Sequence, residues 1–211
     1  PADANVLGNI ETGEDDLERL LRLDPVWSGT GPLWRRESFI RIGMWNEHIR
    51  MWQDVELHIR ALLSDVRYVK RLDLPPDVYV RTTDGSLSRD AYSSPEKLAT
   101  RAQVARGAVD LLIERRGDCV KWAKFLCASV IASAVGARDF RLAADLRKWA
   151  ADRGVFTPAD TRRLKAAELL GRTRLSRLAG MRRMGRKILA PLRGRITLAK
   201  TRIDKTETHS A

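Results

Sequence analysis

The sequence predicts an α/β region over residues 1–94, an α-helical region over 95–170 and a basic tail over 171–211. Three observations carry that expectation. Two short runs, Val66-Arg67-Tyr68-Val69 and Asp77-Val78-Tyr79-Val80-Arg81-Thr82, are rich in β-branched and aromatic residues and flank Leu74-Pro75-Pro76, so they read as strands. After Ser94-Pro95 the pattern turns helical, in stretches separated by Gly117, Gly136 and Gly154. Charge is also uneven: residues 1–159 hold 24 Lys/Arg against 23 Asp/Glu, and residues 160–211 hold 15 against 4. Nearly all of the net charge of +12 therefore belongs to the C-terminal end.

Taken in order, Gly13-Glu14-Asp15-Asp16 leads into Leu17, Leu20, Leu21 and Leu23, a short helix with acids at its favourable N-terminal end, stopped by Asp24-Pro25. Residues 26–34 carry a proline, two glycines and a Trp at either end, which favours extended chain. Arg35 to Ile42 reads as a short helix ended by Gly43, and Met44 to Met51 as a loop of large side chains. Gln53 to Ser64 sets Val55, Leu57, Ile59, Leu62 and Leu63 against Glu56, His58 and Arg60, a helix. Asp84-Gly85-Ser86 is a turn. Helices are expected at 95–116, 118–136, 138–152 and 157–170, with Pro at the first and last starts and Thr157 as a cap.

Several function classes are disfavoured. Cys119 and Cys127 lie eight residues apart in one expected helix, roughly 12 Å at about 1.5 Å per residue, too far for a disulfide. Reduced thiols fit a cytoplasmic chain. The most apolar stretch, Phe125 to Ala137, has 13 residues, short of the roughly 20 that span a bilayer. His48, His58 and His209 form no ligand set, and no phosphate-binding glycine loop or Gly-x-Ser-x-Gly occurs. His58 follows Asp54 by four residues, so the two can form either a functional pair or an ordinary surface pair.

Three segments suggest a site: Gly29-Thr30-Gly31-Pro32-Leu33-Trp34-Arg35-Arg36, Trp52-Gln53-Asp54 with Leu57 and Arg60, and Arg81 with Gly85-Ser86-Leu87-Ser88. The first lets backbone approach a ligand closely. The second puts a carboxylate in the opening turn of a helix, where an Asp is more often a cap. The third gathers an arginine and hydroxyls at a strand exit. With Gly43-Met44-Trp45-Asn46-Glu47 between them, these motifs resemble, over roughly residues 20–90, the C-terminal half of the catalytic domain of family 2 glycosyltransferases.

The resemblance implies a partial GT-A domain, a nucleotide-sugar donor, a carbohydrate or lipid-linked acceptor, and inverting transfer. It implies Asp54 as general base, with Gly29, Thr30, Gly31, Trp45, Trp52, Gln53, Arg81, Ser86 and Ser88 around the substrates. It also implies a divalent metal, Mn or Mg, with most ligands outside this chain. Where many relatives carry a metal-holding His after the strand Arg, this sequence has Thr83, a poor replacement for imidazole. The family's nucleotide-binding half, ending in Asp-x-Asp, would precede residue 20 and is not in these residues, so the chain is expected to be the acceptor-side part of a longer enzyme. The rival expectation is a non-catalytic helical interaction module.

From 172 to 195 the chain is dense in Arg and Lys and has no acid. On a helical wheel, Leu178, Met181, Met184, Ile188, Leu189 and Leu192 share an arc opposite Arg182, Arg183, Arg186, Lys187 and Arg193. Such a helix suits the anionic inner face of a membrane; a solvated tail and nonspecific phosphate binding are the alternatives. The lack of aromatics after Phe156 counts against nucleic acid.

Overall fold

The computed structural model describes residues 11–24, 26–27, 29–64, 66–71, 73–74, 93–173, 184 and 187–192. Seven α-helices follow in chain order: α1 (Asp16–Leu21), α2 (Arg36–Arg41), α3 (Gln53–Leu62), α4 (Pro95–Arg115), α5 (Lys124–Gly136), α6 (Phe140–Asp152) and α7 (Pro158–Arg172). Among the described residues there are also two 3-10 turns, Gly117–Trp122 and Ala190–Leu192, and helical residues at 187–189.

The expected α/β class does not hold. The described residues are 66% helical and contain no strand. Residues 66–71 form neither helix nor turn, but a strand needs a ladder partner and none is formed among the described residues. Side chains tie the segment down instead. Tyr68 Oη donates to Asp16 Oδ2 at 2.6 Å and Lys70 Nζ to Asp16 Oδ1 at 2.7 Å, both on α1. Burial, followed by this bond, pushes the Tyr68 phenol above its ordinary range. The second expected strand, 77–82, lies outside the described residues.

Helix starts follow their caps. Asp15 accepts from Glu18 N–H at 3.0 Å, Ser94 from Lys97 N–H at 3.3 Å, and Asp139 from Leu142 N–H at 3.0 Å. Thr157 and Asp160 form a reciprocal capping box with Pro158 in the first turn. The stretch expected as one helix over 118–136 is divided: bonds from Cys119 N–H to Arg116 O and from Ala123 N–H to Val120 O close 3-10 turns before α5 begins. Both cysteines are buried and free.

One core joins the two sides of residue 94. Leu17, Leu20 and Leu21 of α1 and Ile59 of α3 pack in the same cluster as Leu98, Leu112, Leu126, Ile131, Leu146 and Leu164. Trp122 and Trp149 pack against it, as the sequence suggested for them. α7 approaches α5 and α6 closely enough that a Cβ on Gly171 would lie 2.5 Å from Val135 Cγ1. Arg147 and Glu168 bridge α6 to α7 at 2.6 and 3.2 Å with little exposure. Leu192, at the end of the basic stretch, is buried in this core, and Leu189 packs against it. Those two members of the expected amphipathic arc therefore face protein; residues 174–183 and 193–211 lie outside the description.

Candidate functional site

The loop between α2 and α3 is shaped by backbone geometry and by Arg60. Gly43 (φ +88°) and Met44 (φ +55°) take consecutive left-handed conformations, and Trp52 (φ +63°) takes a third just before α3. Only glycine adopts that region without cost, so Met44 and Trp52 are held there by their surroundings. Arg60 does much of the holding. It binds Glu56 one helical turn earlier with Nε–Oε1 at 2.6 Å and Nη2–Oε2 at 2.8 Å. Its remaining donors reach the Ile42 carbonyl and the Met44 carbonyl, the latter at 2.7 Å. A Cβ on Gly43 would lie 3.3 Å from Arg60 Nη1, so the turn and the guanidinium are fitted to one another.

This loop forms one wall of an open cleft of about 940 Å³. Gly29, Trp45, Trp52, Gln53 and Asp54 all line it, so five residues singled out in sequence come together from two separate segments. Thr30 and Gly31 are next to it but do not line it. Arg81, Ser86 and Ser88 lie outside the described residues. The remaining lining includes Asn46, Glu47, Arg50 and Met51 from the same loop, and Leu20 and Leu23 from the end of α1. Arg50 and Met51 carry no sequence signal beyond their place in a loop of large side chains. Leu20 and Leu23 read as helix core, and nothing local marks them as cleft residues.

Asp54 is not the helix cap. That position belongs to Trp52, which makes no side-chain cap bond, and Asp54 Oδ1 accepts only the neighbouring Val55 N–H, at 2.9 Å. The carboxylate is half-buried and stands against Gly29, whose missing side chain leaves room for it: a Cβ there would be 3.3 Å from Asp54 Cβ and 3.8 Å from Oδ2. The two tryptophans differ. Trp52 packs on the core, with the buried Arg101 guanidinium 5.5 Å from its ring centre. Trp45 is 41% exposed, edge-on to Phe39 at 6.4 Å, and offers a face to solvent.

His58 is buried rather than part of a surface pair. It lies 5.5 Å from Trp27, edge to face, and 6.3 Å from Trp34, nearly parallel. Its Nε2 has no hydrogen-bond partner among the described residues. Burial lowers its pKa to about 4, against a smaller opposing pull from the Asp54 charge. The imidazole is therefore neutral at pH 7, and no hydrogen bond links it to Asp54.

Among the described residues no three of His, Cys, Asp and Glu converge as a cation site. The metal that the family resemblance implies finds no ligand set among the described residues. Neither family models, nor curated proteins, nor solved structures yield a match to this chain.

Proposed function

We propose that the cleft binds the acceptor in an inverting sugar transfer from a nucleotide-sugar, with Asp54 as general base. The observation that supports this reading most is the meeting of Asp54, Gly29 and Trp45 at one cleft. A sugar hydroxyl is a weak nucleophile until its proton leaves, and a placed carboxylate typically contributes about 10²–10⁴-fold. The acceptor ring lies on the exposed face of Trp45, where its C–H groups meet an apolar surface. Asp54 takes the hydroxyl proton as the oxygen bonds to the anomeric carbon of the donor. The bond to the nucleoside diphosphate breaks on the opposite side, which inverts the configuration. Gly29 leaves the carboxylate room to face the acceptor.

The test has two arms. Saturation-transfer NMR with a panel of mono- and oligosaccharides reads binding to the 211-residue chain. Nucleoside diphosphate release from a panel of nucleotide-sugars, with acceptor, reads transfer. Asp54→Asn is expected to keep acceptor binding and lose transfer by about 10²-fold or more. Equal transfer by wild type and Asp54→Asn, or no saturable carbohydrate binding, removes the proposal.

The rival reading, a non-catalytic helical interaction module, draws support from the all-helical character of the described residues. It separates cleanly from transfer, because Asp54→Asn leaves a partner contact through the α4–α7 helices unchanged.

A further inference from the structure

The segment 33–45 divides its large apolar side chains: Ile42 is buried with Trp34 and Phe39 packed against it, while four others stand in solvent. Leu33 is 102% exposed, Ile40 51%, Met44 48% and Trp45 41%. α2, which lies within it, has no buried residue. Scattered exposed apolar residues are ordinary, but four within thirteen positions, one of them a tryptophan, mark an interaction surface. The exposure is also built rather than slack. Arg60 grips the carbonyls on either side of Gly43, and this grip holds Met44 in a left-handed conformation that presents Met44 and Trp45 outward.

Charge indicates what covers this surface. Arg35, Arg36 and Arg41 are exposed on the same segment, and Glu37 is its one acid. Exposed apolar side chains with a tryptophan, interspersed along the segment with exposed arginines, match the interfacial layer of an anionic bilayer, where apolar groups enter the acyl boundary and arginines meet phosphates. A second copy fits worse, because a two-fold contact through this segment would gather both copies' exposed arginines in one interface with only Glu37 from each copy to offset them.

We infer that residues 33–45 dock on an anionic lipid bilayer, with Leu33, Ile40, Met44 and Trp45 in the interfacial layer and Arg35, Arg36 and Arg41 at the headgroups. This differs from a contact made by the basic tail, two of whose apolar residues, Leu189 and Leu192, pack on the protein core. Docking does not depend on the transfer reading. If both hold, Trp45, shared by the patch and the cleft, sets the cleft beside the bilayer, and the acceptor is one carried at the lipid surface.

Co-sedimentation of the chain with phosphatidylcholine vesicles, with and without phosphatidylglycerol, tests docking with no transfer involved. Binding is expected only with phosphatidylglycerol. The triple variant Leu33→Ser/Ile40→Ser/Met44→Ser is expected to unfold at the wild-type temperature and bind at least about tenfold more weakly. Brominated acyl chains are expected to quench tryptophan emission in the wild type, and Trp45→Phe to remove most of that quenching. Binding without phosphatidylglycerol dependence overturns the inference. So does a triple variant that binds like wild type while Arg182→Gln/Arg183→Gln/Arg186→Gln/Lys187→Gln does not, since the tail alone would then carry the contact. A concentration-dependent dimer in sedimentation velocity that the triple variant abolishes, without vesicle binding, assigns the patch to a second copy and likewise overturns it.

Discussion

Replacing Arg60 by alanine is expected to cost much more than a surface ion pair is worth. An i,i+4 pair of this kind, taken alone on an exposed helix, contributes only about 0.3–0.5 kcal/mol. Arg60 does more, because it also donates to the Ile42 and Met44 carbonyls and so fixes the left-handed turn at Gly43 and Met44. Four charge-assisted bonds at about 1.5–3 kcal/mol each would give an upper figure of roughly 6–12 kcal/mol. Much of that is recovered by water in the variant, since Met44 is exposed and Glu56 keeps 18% of its side-chain surface, although Ile42 is buried. What remains is the stranded, mostly buried Glu56 carboxylate and a turn without its clamp, about 2–4 kcal/mol. For a chain of this size that lowers the melting temperature by roughly 5–12 °C. Urea unfolding of wild type, Arg60→Ala, Glu56→Gln and the double variant gives both the total and the coupling. A loss of about 0.5 kcal/mol or less in Arg60→Ala refutes the clamp and leaves an ordinary helical ion pair.

Three further outcomes follow from particular contacts. His58 has a folded pKa of about 4 against 6.5 unfolded, so between those values the unfolded chain binds the extra proton and stability falls with falling pH, at up to about 1.4 kcal/mol per unit. His58→Phe keeps the ring between Trp27 and Trp34, and the difference between its urea midpoint and the wild type's is expected to change between pH 7 and pH 4.5; a constant difference refutes the assignment. Gly171→Ala places a methyl 2.5 Å from Val135 Cγ1, and the expected loss is about 1–3 kcal/mol by thermal unfolding, recovered in part by Val135→Ala. Burial pushes the Cys119 thiol up to about 11 and that of Cys127 up to about 12, so neither is expected to react with a thiol reagent at pH 8 until the chain is unfolded.

Local signals in the sequence were good guides wherever the structure is locally determined. Ser94-Pro95 and Thr157-Pro158 open α4 and α7 because their side chains satisfy the first N–H groups, a need that depends on no distant residue. The division of the stretch after Gly117 into a 3-10 turn and α5 was not legible, since its apolar pattern suits either geometry. The strand reading of 66–69 failed for a related reason. Val66, Tyr68 and Val69 report that extended backbone is comfortable, while sheet formation depends on a partner the residues themselves do not specify. At the cleft, Trp45, Trp52, Gln53 and Asp54 come together because they lie within ten positions of one another, in the loop before α3 and in its first turn. Gly29 was legible as a glycine permitting close approach, and the structure places Asp54 in the space it leaves. Leu20 and Leu23 reach the cleft only through the packing of α1, which no local pattern encodes. The aromatic enclosure of His58 is equally non-local, being built from Trp27 and Trp34 far ahead of it in the chain.

The core shared across residue 94 has a consequence for how the protein is made on the ribosome. Leu17, Leu20, Leu21 and Ile59 emerge early, but their packing partners include Leu98, Leu126 and Ile131. At about 5–20 residues per second, these leucines and Ile59 wait several seconds for the residues that cover them. During that interval the nascent chain carries an uncovered apolar face, so its yield in the cell depends on what shields that face until α5 has emerged.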